Sequence, residues 1–160
     1  MSGPAPHPRF AAALDDSGLD VDVRSFPEST RTAADAASAI GCDVDQIVKS
    51  LVFEAGGTPT MVLVDGASRV DESRLARELG VDAVGRADPD TVRAATGYAI
   101  GGVPPFGHAT QLPVLVDRGL LEHDVVWAAA GTPNTVFPIA PSALVDVAGA
   151  TVVDGLADRQ

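Results

Sequence analysis

The sequence predicts a mixed α/β (α+β) single domain in which helices flank a central sheet. Three observations lead there. Segments with apolar residues at helical spacing alternate with short apolar runs of strand length along the whole 160-residue chain. Glycine, proline or a capping Asp or Thr punctuates the changes of period. No repeat, linker or low-complexity stretch divides the pattern, and a hydrophobic fraction of 46% suffices for one core.

Taken in order, His7–Ser17 reads as a helix with Phe10, Ala13 and Leu14 on one side and Gly18 as its stop. Val21–Phe26 alternates apolar with polar, so a strand is expected there, ended by Pro27. Thr32-Ala-Ala-Asp35 resembles a capping box with Asp in the place of the usual Glu or Gln; its helix runs to Ile40 and stops at Gly41. Ile47–Glu54 is the next strand, Ala55-Gly-Gly-Thr58 turns the chain, and Pro59–Val64 returns as the second arm of a hairpin. A short helix, Asp71–Leu79, stops at Gly80. Asp88-Pro89 supplies a cap and a first-turn proline for a helix that ends near Gly97. Leu112–Val116 and Val125–Ala130 are apolar runs of strand length. Val136–Ile139 contains Pro138, which has no N–H for a ladder, so an edge or irregular strand is expected. Pro141 and Ser142 introduce a last helix to Val147, and Thr151–Val153 adds a final strand.

Composition narrows the function. A net charge of −11 argues against a general nucleic-acid coat, which needs a basic face. The acid is mainly aspartate spread along the chain, which reads as a solvation strategy for high salt and points to a halophilic source. A single cysteine, Cys42, permits no internal disulfide and fits a reducing compartment; beside Asp43, its thiolate is disfavoured. No apolar run reaches the roughly 20 residues of a membrane span, and Met1–Arg9 lacks the apolar stretch of a secretory signal. A cytoplasmic protein without membrane contact is expected. Three scattered histidines and one cysteine cannot supply a structural zinc site.

Two segments carry candidate chemistry. Lys49 is the only lysine in a chain whose other basic side chains are all arginine. In the strand Ile47-Val-Lys-Ser-Leu-Val-Phe53 it shares a face with Ile47, Leu51 and Phe53, while Val48 and Val52 occupy the other. An ammonium between two apolar faces must be paired or reach a cleft; the bland alternative is a stem that snorkels to water. The second segment is Gly97-Tyr-Ala-Ile-Gly-Gly-Val-Pro-Pro-Phe-Gly-His108, whose glycines admit close backbone approach and whose prolines stiffen it. The N–H groups of Gly101, Gly102 and Val103 could converge on a carbonyl or an incipient oxyanion. Gly131-Thr-Pro-Asn134 is explained by turn chemistry. No Gly-x-Ser-x-Gly elbow or HExxH motif occurs, and Glu28, Asp35, Asp65 and Asp117 are acids without a pairing interval. His108 is the histidine nearest the glycine-rich segment, whereas His7 and His123 read as surface residues. Such empty inventories favour a site built from backbone, bound water and substrate groups.

In order and content these segments resemble the YbaK/ProRS-associated editing family, aminoacyl-tRNA deacylases that clear mischarged tRNA, usually tRNA(Pro). The similarity runs from about Phe10 to Ala150. Ile47-Val-Lys49-Ser-Leu-Val resembles the family's lysine-bearing strand, and Thr96-Gly-Tyr-Ala-Ile-Gly101-Gly-Val-Pro-Pro105-Phe-Gly107 its Gly-x-x-x-Pro loop. Leu112-Pro-Val-Leu-Val-Asp117 and Ala130-Gly131 with the following turn fall where the family has them.

The resemblance implies a barrel-like central mixed sheet. It also implies that Lys49 holds the phosphate of the terminal adenosine and places the ester. Gly101 and Gly102 would then serve catalysis through the main chain. Val103, Pro104, Pro105, Phe106, Gly107 and His108 would bind the aminoacyl group, with Asp117, Gly131 and Asn134 as further substrate-binding positions. Water, aided by the terminal ribose hydroxyl, would cleave the ester without metal or cofactor. The implied substrate is tRNA(Pro) carrying Ala or Cys. The implied partners are the mischarged acceptor end and an aminoacyl-tRNA synthetase. Departures bear on that detail: His108-Ala-Thr-Gln111 replaces a basic cluster, Phe26 a tyrosine, and Gly-Thr-Pro-Asn a basic turn. They weigh against Cys and leave Ala or a small hydroxylated amino acid open. A non-catalytic aminoacyl-tRNA-binding module and a small amino-acid esterase are the alternative readings.

Overall fold

The structure, a computed structural model, describes residues 6–26 and 32–159. Helix boundaries fall where side chains satisfy free backbone groups. In α1 (Pro8–Ser17) the His7 ring accepts from the Arg9 N–H at 3.1 Å. In α2 (Ala33–Ile40) the capping box forms with aspartate: Asp35 N–H donates to Thr32 Oγ1 at 3.0 Å, and Thr32 N–H to Asp35 Oδ2 at 3.3 Å. Asp71 caps α3 (Glu72–Leu79) and Asp88 caps α4 (Pro89–Thr96), while Pro141 opens α5 (Pro141–Ala148). All five of these helices close on a left-handed glycine.

Strands β2 (Val48–Ala55) and β3 (Thr58–Asp65) form the expected hairpin, turning at Gly56 and Gly57 with φ of 58° and 85°. With β5 (Val84–Arg86), β6 (Val114–Asp117) and β9 (Thr151–Val153) they make a five-stranded mixed sheet ordered β5-β2-β3-β6-β9. Antiparallel β1 (Arg24–Ser25), β8 (Thr135–Ile139) and β7 (Val126–Ala129) form a second sheet, and β4 (Ser68–Val70) pairs β10 (Ala157–Arg159) in a third.

This corrects the expectation of one central, barrel-like sheet: the strands divide among three sheets and do not close. The reason lies on one edge of β2. That edge pairs β5 only over Phe53–Ala55, and at its other end a single parallel bridge joins Ile47 to Trp127 of β7. Between those points the edge at Lys49–Leu51 has no neighbouring strand among the described residues, and a cavity lies there instead.

Other elements are shorter than their sequence pattern, or invisible in it. Of Val21–Phe26 only Arg24 and Ser25 form a strand, opposite Val136 and Thr135 of β8, and Phe26 N–H continues the contact by donating to the Asn134 carbonyl at 2.8 Å. The stop at Pro27 and the acid Glu28 lie outside the described residues. Pro138 sits in a strand flanked on both sides, but beyond the two residues β1 covers, so the missing N–H breaks no ladder with β1.

Alternation along β3 sends Met61 and Leu63 into the main core with Phe10, Phe106 and Phe137, and Val62 and Val64 into a second core with Phe53 and Leu75. The sheet is thus buried on both faces, as its continuous apolar strands require. Among the described residues no helix is long and apolar enough to cross a membrane.

Candidate functional site

The open edge of β2 forms one wall of a cavity of about 290 Å³. The start of α2, β7, β8 and the loop after α4 complete it, so its walls are chiefly apolar: Ile47, Val48, Val52, Val92, Val103 and Trp127 among them. Lys49 and Gly101 line it as well, which brings the lone lysine and the glycine-rich loop to one place.

The loop keeps its shape through its own hydrogen bonds. Tyr98 Oη donates to the Gly107 carbonyl at 2.7 Å, His108 Nε2 lies 2.7 Å from the Pro104 carbonyl, and Gly102 N–H donates to Ala99 at 3.0 Å. One of the three expected main-chain donors is therefore engaged inside the loop. The N–H groups of Gly101 and Val103 have no acceptor among the described residues. Gly101 takes a φ of 96°, which a side chain would resist. At Gly102 the constraint is space: a Cβ would stand 2.8 Å from the Thr132 carbonyl carbon and 3.0 Å from Pro133 N. The loop thus rests directly on the backbone of the Gly131–Asn134 turn, and Pro133 of that turn lines the cavity.

Lys49 occupies an unusual position. Its side chain emerges on the face of Leu51 and Phe53, opposite Val48 and Val52, whose face meets Val103. Its Nζ donates to the carbonyl of Ser68, which lines a second depression and not the first. Lys49, Leu51 and Arg86 line both. The lysine therefore stands at the rim shared by two depressions, with its charge turned towards the second. Burial lowers its pKa from the usual lysine value; Asp65 opposes this, and Arg86 and Arg69 reinforce it.

Ser50, the next residue, lies on the Val48/Val52 face and lines the cavity. Its hydroxyl is buried and has no hydrogen-bond partner among the described residues. Buried hydroxyls are rarely left so, because the desolvation cost is uncompensated. This is the group the sequence reading passed over. The signal was present: a lone polar side chain between two valines on an apolar face.

The other expected site residues do not line the cavity. Phe106 is core, its ring 5.0 Å from that of Phe10 and 5.9 Å from that of Phe137. Pro104 and Pro105 are buried beneath the loop. Gly107 packs on α1, where a Cβ would meet that of Ala13 at 2.7 Å. His108 braces Pro104, and its burial lowers its pKa from the usual histidine value. Asp117 accepts from Gly119, Leu156 and Ala157 N–H groups at 3.0, 3.0 and 3.2 Å, fixing the chain after β9 to the end of β6. Gly131 admits His7, which a Cβ would meet at 2.4 Å. Asn134 donates to the Phe26 carbonyl at 3.4 Å. Burial, seconded by Asp43, raises the Cys42 pKa, in keeping with an unreactive thiol.

Over residues 27–147 the sequence matches the family described as "Aminoacyl-tRNA editing domain". It is 33% identical to "Uncharacterized protein YwhH" of Bacillus subtilis (strain 168) over 124 residues, 77% of this chain and 78% of that protein. It is 34% identical over 96 residues to "Proline--tRNA ligase" of Nitratidesulfovibrio vulgaris (strain DP4), a match that spans 60% of this chain but 17% of the ligase. Among solved structures, a candidate trans-editing enzyme for prolyl tRNA synthetase superposes with a TM-score of 0.86 at 42% identity, covering 94% of this chain and 98% of that one.

Proposed function

The chain belongs to the aminoacyl-tRNA editing domain family, and from that premise we propose that it hydrolyses the ester of a mischarged tRNA held in the cavity at the open edge of β2. The observation that carries this reading is the shared lining: the only lysine borders one chiefly apolar cavity with Gly101 and Val103, whose N–H groups have no acceptor among the described residues. At about 290 Å³ it lies at the small end of ligand pockets, so it suits an aminoacyl group with a short side chain rather than a whole nucleotide.

In this reading the ester carbonyl faces the Gly101 and Val103 N–H groups, which stabilise the oxyanion as water adds. The bond between acyl carbon and ribose oxygen then breaks, the ribose oxygen takes the proton, and the free amino acid leaves. Lys49 exchanges the Ser68 carbonyl for the phosphate of the terminal adenosine, a change its flexible stem allows. It thereby places the ester without touching it, and rate comes from positioning and main-chain donors. The substrate is tRNA(Pro) carrying Ala or Cys, with prolyl-tRNA synthetase as the source of the error. The prolyl relatives named above support tRNA(Pro) as the carrier, and the small cavity supports a short side chain.

A deacylation screen with Ala-, Cys-, Ser- and Thr-charged tRNAs, run at low and high KCl, tests the proposal. Turnover of at least one small aminoacyl ester well above its spontaneous rate is expected. Stable esters throughout would overturn it.

A further inference from the structure

An acidic chain that handles RNA needs a local patch of the opposite sign, and the second depression beside β2 provides one. Lys49, Arg69 of β4 and Arg86 at the end of β5 line it together with Ser68, Gly66 and Glu72. Three of the chain's eleven basic residues thus meet at one spot in a molecule of net charge −11. Among the described residues none of the three has a carboxylate within ion-pair distance, whereas Arg24, Arg74 and Arg118 are paired. Arg86 lies over the Phe53 ring at 5.7 Å. Two acids offset part of this charge: Asp65, which acts on Lys49 while accepting from Ala67 N–H and Ser68 Oγ at 2.8 and 2.9 Å, and Glu72, the one acid that lines the depression. Three cations gathered with no direct ion pair repel one another, as the effect of Arg86 and Arg69 on Lys49 reflects, and a bound anion relieves that cost.

We propose that Lys49, Arg69 and Arg86 form a phosphate subsite for the acceptor strand, with Arg69 and Arg86 taking backbone phosphate 5′ to the one at Lys49. The inference rests on the editing function proposed above and gives that site its RNA-binding half. Continuity supports it: Lys49, Leu51 and Arg86 line this depression and the cavity alike, so a strand gripped here delivers its 3′ end to the loop.

The test measures binding of an uncharged acceptor-stem hairpin with a single-stranded 3′ end, by fluorescence anisotropy across a salt series, alongside deacylation kinetics. Arg69→Gln and Arg86→Gln should each weaken hairpin binding and raise KM roughly tenfold with kcat unchanged, the loss expected for one charge-assisted contact. Each should also reduce the slope of log affinity against log salt by about 0.7, the value for one phosphate of a single strand. Arg86→Lys should recover much of the loss, and Arg93→Gln, on α4 outside the depression, should change neither quantity. Circular dichroism checks that the variants fold.

A double variant that binds the hairpin with wild-type affinity and salt slope overturns the subsite while leaving an active enzyme intact. Arginine-dependent RNA binding in a protein that cleaves no charged tRNA sinks the hydrolase reading and keeps the subsite. Wild-type protein that ignores the hairpin but binds a synthetase through these arginines overturns the subsite in favour of a protein contact.

Discussion

Replacing Ser50 by alanine should raise stability and lower activity together. The wild-type hydroxyl is buried between Val48 and Val52 with no partner among the described residues, and an unsatisfied buried group of this kind costs about 1–3 kcal/mol. Alanine removes the polar atom and leaves a methyl-sized side chain on an apolar face, so no void of consequence forms. We take the lower end, about 1 kcal/mol, because the free site admits water at its mouth; that corresponds to about 2–4 °C in Tm for a chain this long. If the hydroxyl is instead satisfied by the bound aminoacyl end, Ser50→Ala should reduce kcat/KM on the order of tenfold, the loss of one hydrogen bond in a dry site. Thermal unfolding of the free protein and deacylation under subsaturating substrate read the two effects separately. A destabilised variant would show that the hydroxyl already has a partner in the fold. A stabilised variant with unchanged kcat/KM would show that it faces no ligand.

Three further outcomes follow from the geometry. Gly102→Ala drives a Cβ to 2.8 Å from the Thr132 carbonyl carbon; since neither backbone yields easily, the loop should shift, costing about 1–3 kcal/mol of stability and most of kcat, as measured by unfolding and single-turnover deacylation. The lowered pKa of Lys49 means that its ammonium is lost at a lower pH than an ordinary lysine's, so on raising the pH hairpin affinity should fall earlier for wild type than for Lys49→Arg, with identical curves the result that contradicts this. For His108 the folded state holds fewer protons than the unfolded chain as pH drops through the histidine range. Its contribution to stability is therefore complete above the ordinary histidine pKa of 6.5 and lost on acidification through the lowered folded-state pKa. Tm against pH should show that loss, and His108→Gln should flatten it.

How much of this was legible in the chain depended on the range of the signal. Helix ends were readable because caps are local: Asp71, Asp88 and the glycines at 41, 80 and 97 act within a few residues of themselves. The β2–β3 hairpin was readable for the same reason, its turn being two adjacent glycines. Strands β4, β5 and β10 span three residues each, too few for a period to declare itself, and their pairings come from sequence-distant partners. The division into separate sheets was likewise hidden, since it turns on where β2 stops pairing with β5. In the site, Lys49 and Gly101 stood out through rarity and glycine content; both line the cavity, while the Lys49 ammonium turns to Ser68 in the second depression. Phe106, Gly107 and Asp117 sit in or beside equally distinctive segments, yet they pack the core, receive α1 and pin β6. A motif marks a segment; only tertiary packing tells which of its residues face the ligand.

Editing at this site requires Lys49 to hold the acceptor end beside the main-chain donors of Gly101 and Val103. The most direct measurement is single-turnover deacylation of a mischarged tRNA by wild type and by Lys49→Ala, with circular dichroism on both. A variant that keeps its fold but loses hydrolysis, mainly through weakened binding of the charged tRNA, is the predicted result. A folded Lys49→Ala protein that cleaves the ester at the wild-type rate would contradict it.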